Sequence, residues 1–131
     1  MPNLNLSLLE GRFVVLQLEP NSSIPAWALK GEFFSVSRTS EELSIVCLES
    51  NVPVNAGVRL ERDWACLKLQ GPFEFSLTGI LLSVLEPLAR VNVGIFALST
   101  FNTDYVLVKA DNLERAIVAL QGAGHLVSRA S

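Results

Sequence analysis

The run Ser99-Thr100-Phe101-Asn102-Thr103-Asp104 gathers three hydroxyls, an amide and a carboxylate within six residues. In such a turn Asp104 can accept hydrogen bonds from a ligand ammonium, a charge-assisted pairing. A second segment, Gly71-Pro72-Phe73-Glu74-Phe75-Ser76-Leu77-Thr78-Gly79, leads into an apolar stretch with helical spacing. Backbone N–H groups and the dipole at the start of that helix suit a ligand carboxylate. Ser76, Thr78 and Gly79 are the candidates at this terminus, Gly79 because a ligand can approach a backbone without a side chain. Thr100, Phe101 and Asp104 are the candidates on the turn. A carboxylate site beside an ammonium site describes an α-amino acid. The same hydroxyl, amide and carboxylate residues are also ordinary β-turn vocabulary, and both readings stand at this point.

Other chemistries find less support. A cysteine nucleophile needs a base, normally histidine, and His125 is far in sequence from Cys47 and Cys66. Both cysteines lie in apolar strand contexts, where free cysteine behaves as a small hydrophobe. No Cys or His pair has zinc-ligand spacing, and the glycines match neither phosphate-loop pattern. No catalytic residue, metal or cofactor is therefore expected. Arg38, in the charged turn Ser37 to Glu42, is open to two readings: a contact for a ligand carboxylate or a solvated turn charge.

With 131 residues the chain has room for one ordinary domain or two very small ones. Half of the residues are hydrophobic and 18% are charged, which excludes intrinsic disorder. The net charge is −3, and the basic residues scatter from Arg12 to Arg129, so no row of phosphates is matched and no nucleic-acid partner is expected. The most apolar stretch, Gly79 to Thr100, contains Glu86, Pro87, Arg90 and Asn92. A membrane span of about 20 residues would not carry these. The N-terminal MPNLNLSLLEGRF does not read as a signal peptide, and two cysteines fit a reducing compartment. The expectation is a soluble, cytoplasmic, acidic protein.

The elements that would position the candidate residues come from an internal repeat. Phe33–Val46 aligns without a gap on Ile95–Val108 at an offset of 62, each copy reading as a β-hairpin. Phe13–Leu18 matches Trp64–Leu69 at an offset of 51. Between strand and hairpin the second half carries the stripe Leu77, Ile80, Leu81, Val84, Leu85 and Leu88, an amphipathic helix whose last turn Pro87 should kink. The first half has only Ser22 to Lys30 there. A second helix follows the second hairpin, with Asp111 as N-cap, Glu114 completing a capping box, and Gly122 or Gly124 ending it. His125 to Arg129 reads as a last strand. The second half thus reads β-α-β-β-α-β, a ferredoxin-like unit, and the first half as the same unit with its helices eroded. Trp27 stands where a helix is missing, over sheet surface that it or a second chain would cover.

The strand, the glycine-bounded loop, the helix, Gly94–Thr100 and Asp104-Tyr105-Val106-Leu107-Val108 resemble the ACT domain. The chain is similar to tandem-ACT small bacterial proteins, to aspartate kinase regulatory domains and to CASTOR-type arginine sensors. The resemblance implies an α+β fold of two ferredoxin-like (βαββαβ) ACT halves, the first truncated, with residues 1–63 as the degenerate half and 64–131 as the ACT domain. It implies a non-enzymatic regulatory module binding a small effector, an amino acid, between the halves or at the interface of a homodimer. The alternative is a ligand-free interaction module. ACT domains usually regulate an attached enzyme, and these residues leave open what this domain would regulate.

Overall fold

The computed structural model describes residues 3–74 and 78–129. Leu77, the first member of the expected helical stripe, lies outside these. The strands are β1 (Asn5–Leu8), β2 (Phe13–Leu18), β3 (Ser35–Arg38), β4 (Leu43–Leu48), β5 (Arg59–Leu69), β6 (Ile95–Ser99), β7 (Asp104–Lys109) and β8 (Leu126–Arg129). The helices are α1 (Ile80–Arg90) and α2 (Leu113–Gly122). Two units result. Gly11–Trp64 forms the N-terminal one, and Met1–Glu10 groups with Ala65–Ser131 in the C-terminal one.

In the N-terminal unit the strand order is β3-β4-β2-β5, and every neighbouring pair is antiparallel. This is the ferredoxin-like order with its helices reduced to 3-10 turns at Ala26–Ala28 and Glu49–Asn51. Val14, Leu16, Leu43, Ile45 and Cys47 alternate inward from the strands and form the core with Ala28. Trp27 packs on that core from the first turn, covering sheet that a helix would otherwise cover.

In the C-terminal unit β6 pairs β7, β7 pairs β5, and β1 lies between β5 and β8. β1 runs antiparallel to β5 and parallel to β8. The unit is thus a βαββαβ ferredoxin-like fold with a guest strand. Leu4, Leu6 and Leu8 carry the period of two that a half-buried strand needs, and Leu6 is 1% exposed. On α1, Val84 and Leu88 are fully buried, with Ile80, Leu81 and Leu85 against the same core. Ala116 and Leu120 meet it from α2.

Helix ends depart from expectation at one place. Asp111 does not cap α2, because the chain passes through a 3-10 turn, Ala110–Asn112, directly into the helix. No side chain caps it, and Glu114 instead accepts a hydrogen bond from Arg129. Both helices close in Schellman geometry. Asn92 (φ +60) donates to Ala89 and Val93 to Leu88; Gly124 (φ +97) donates to Gln121 and His125 to Leu120. Pro87 lies within α1, which continues to Arg90.

The repeat itself needs a correction of one residue. Arg38 pairs Leu43 across the first hairpin and Ser99 pairs Asp104 across the second, an offset of 61 rather than 62. The turns agree in detail. Thr39 N–H donates to Glu42 O at 2.9 Å and Thr100 N–H to Thr103 O at 2.8 Å, while each threonine hydroxyl accepts the N–H that closes its turn. At this offset the buried residues Ile45, Val46 and Cys47 fall on Val106, Leu107 and Val108. The slip matters because a strand's side chains change face at every residue.

Candidate functional site

The turn between β6 and β7 is built by Thr100, whose Oγ1 donates to Thr103 O at 3.1 Å and accepts from Thr103 N–H. Ser99 Oγ donates to Asp104 Oδ1 at 2.5 Å, holding the carboxylate at the mouth of the hairpin. The loop after β5 is fastened to the same turn. Phe73 N–H donates to Asn102 O at 2.8 Å, and the buried Thr103 Oγ1 donates to Leu69 O at 2.5 Å. Gly71 permits this approach, since a Cβ there would stand 2.8 Å from Asn102 O and 3.2 Å from Thr103 Cβ.

Between loop and turn lies an open groove of about 170 Å³, lined by Phe73, Glu74, Ile80 and the residues from Ser99 to Asp104. The structure therefore brings Thr100, Phe101 and Asp104 together. Thr78 and Gly79 are exposed and lie outside its lining, where Ile80 is the first residue of α1 to contribute. Ser76 lies outside the described residues. Gly79 adopts φ +79 at the N-cap of α1, with nothing near the position a Cβ would take. Phe73 was not among the candidates, although it sits in the glycine-bounded loop that pointed to the site.

Glu74 and Asp104 are the charged residues of the lining. Two carboxylates facing one groove with no base among its lining residues favour a cationic group. Phe101, 79% exposed, and Phe73 offer apolar surface beside them. The arrangement can hold an ammonium or guanidinium against carboxylates and hydroxyls. Two larger hollows lie elsewhere. One of about 400 Å³ runs between α1 and α2, and one of about 360 Å³ borders Glu19, Ser22, Glu41 and Arg59 in the N-terminal unit.

The remaining reactive residues are committed to structure. Cys47 and Cys66 are fully buried, and burial pushes their thiols up to about 11 and about 12. Burial also raises the Tyr105 phenol, with a smaller contribution from Cys66. His125 is buried and uses both ring nitrogens, Nδ1 accepting from Leu4 N–H and Nε2 facing Ser83 O. Arg38 is exposed, as a solvated turn charge would be, and its guanidinium is engaged by the backbone, donating to the carbonyls of Pro20 and Ser22. Among the described residues no cluster of His, Cys, Asp and Glu is placed to hold a metal, and no helix is long and apolar enough to cross a membrane.

Residues 59–122 match the family model of the ACT domain, and residues 11–55 match a model of an N-terminal domain. The bovine cytosolic arginine sensor for mTORC1 subunit 1 is 30% identical over 98 residues, covering 68% of this chain and 30% of the sensor. The chain thus spans about a third of that relative's length. A crystal structure of an Agrobacterium tumefaciens protein is 43% identical with a TM-score of 0.92, over 100% of this chain and 96% of that one. The regulatory subunit of aspartate kinase from Thermus flavus shares the fold, with a TM-score of 0.59 at 13% identity over 93% of this chain and 97% of that subunit. Strand order, second-half model match and structural neighbours agree: residues 59–122 belong to the ACT-domain family, and the chain shares the fold of aspartate kinase regulatory subunits.

Proposed function

We propose that this protein is a non-catalytic, cytoplasmic regulatory module whose groove between the β5–α1 loop and the β6–β7 turn binds an amino-acid effector. The observation that carries the reading is the groove lining, with Glu74 and Asp104 on its walls and Phe73, Thr100 and Phe101 beside them. The ligand ammonium would rest on Asp104, whose second oxygen is not engaged by Ser99. The start of α1 offers a place for the carboxylate. A basic amino acid suits a groove with two acids, and the bovine relative is itself an arginine sensor. Binding regulates by favouring one conformation or assembly state over another, in a homodimer whose target is a protein partner.

A second reading, a ligand-free interaction module, draws on Leu82 and Val118, which stand 52% and 67% exposed on α1 and α2. Thermal unfolding against a panel of amino acids separates the two. A ligand at 100 times its Kd stabilises by about 2.7 kcal/mol, several degrees for a chain of this size. A selective rise that Asp104→Ala abolishes supports the effector reading. A flat panel supports the interaction module.

A further inference from the structure

At the offset of 61, Arg38 in the N-terminal unit occupies the hairpin position that Ser99 occupies in the C-terminal unit. At the strand offset of 51, Pro20 and Ser22 correspond to Gly71 and Phe73 of the groove-forming loop. The two units therefore differ at one place in a telling way. In the C-terminal unit a short serine leaves open the space between turn and loop. In the N-terminal unit the Arg38 side chain crosses the corresponding space, and its guanidinium donates to Pro20 O and, at 2.8 Å, to Ser22 O.

The surroundings are those of a cation site. The neighbouring hollow of about 360 Å³ is bordered by Ser22, Glu19 and Glu41, with Arg59 the one base on its lining. Two carboxylates against one base leave the hollow net negative without Arg38. The turn that carries Arg38 is closed by Thr39, as Thr100 closes its counterpart, so neither turn depends on the residue preceding its threonine.

We propose that the N-terminal unit holds a second, guanidinium-selective site, degenerate with the groove of the C-terminal unit and permanently filled by Arg38 as an intramolecular ligand. The planar fork of a guanidinium presents fixed, paired donors to two carbonyl acceptors, whereas an ammonium is a compact, more strongly hydrated point charge. The inference rests on the bonds of Arg38 and the repeat register, and stands whether or not the other groove takes an amino acid.

The test is an amide-shift titration of Arg38→Ser with ethylguanidinium chloride, against matched sodium chloride, in the full chain. Arg38 is exposed, so the variant should fold, and its amide spectrum checks that directly. The expected result is saturable shifts at Glu19–Ser22 and Thr39–Glu42 in the variant, absent from the wild type and from Arg38→Lys. Ethylammonium should give a smaller response. Shifts no larger than those of sodium chloride, or equal shifts in wild type and variant, would overturn the proposal.

Discussion

The Nε2 of His125 lies 2.8 Å from the carbonyl oxygen of Ser83, the acceptor that Pro87 leaves without its helical donor. The other ring nitrogen accepts from Leu4 N–H at 3.0 Å. Because Nδ1 accepts, Nε2 carries the proton and donates it to Ser83. One imidazole thus repairs a break in α1 and ties it to the chain entering β1, while its own backbone N–H closes α2.

Replacing His125 by leucine strands two buried backbone groups. The expected loss is about 3 kcal/mol in denaturant unfolding, at the usual cost of an unpaired buried polar group. Pro87→Ala restores a donor for Ser83 and should recover about 1 kcal/mol in the His125→Leu background. Independent, additive effects of the two substitutions would contradict the bond. Nitrogen shifts of the single histidine should show the Nε2–H tautomer.

Gly71 and Gly79 bracket the same loop and should respond differently. Gly71→Ala drives a Cβ into the Asn102 carbonyl, so loop and turn must separate, at about 2 kcal/mol of stability and with weaker effector binding. Gly79→Ala meets open space and bears only the left-handed φ, about 1 kcal/mol. Unfolding midpoints and binding curves of the two variants check the contrast.

The cysteines should be inert in the folded protein. Neither thiol should react with an aromatic disulfide at pH 8 until the chain unfolds. Both thiols ordinarily titrate near 9.0 and are held at about 11 and about 12 when folded. The folded state therefore keeps protons that the unfolded state releases. Their contribution to stability is complete below pH 9 and is lost as pH rises toward 12. Replacing Cys66 by alanine should flatten that part of the pH–stability curve.

Much of this fold is legible in the residues. The stripe from Ile80 to Leu88, the hairpins, and the missing first-half helix around Trp27 all follow from periodicity and length. The register of the repeat does not, because hydrophobic pattern alone tolerates a one-residue slip when apolar residues run together, as in Phe33-Phe34 and Ile45-Val46-Cys47. The turn threonines, Thr39 and Thr100, mark the correct offset. β1 announces itself only in the alternation of Leu4, Leu6 and Leu8, and its partners lie far along the chain, Leu69 of β5 and Val127 of β8 both standing beside Leu6. At the site, Thr100, Phe101 and Asp104 are close neighbours on one turn and line the groove together. Glu74 and Phe73 join them through the Phe73–Asn102 backbone bond, a pairing that no residue type encodes.

Thr103 offers a local test of that convergence. Thr103→Val removes the hydroxyl that donates to Leu69 O and keeps the shape. A loss of about 1–2 kcal/mol is expected, with effector affinity reduced through displacement of the turn. Unchanged stability would mean that the loop is held by the Phe73–Asn102 bond alone.

The central claim is tested most directly by a crystal structure of the protein grown with the amino acid that raises its unfolding midpoint most. The account predicts that amino acid in the groove between Phe73–Glu74 and Thr100–Asp104, its ammonium within hydrogen-bond distance of Asp104. The same amino acid bound elsewhere, with that groove unchanged, would contradict it.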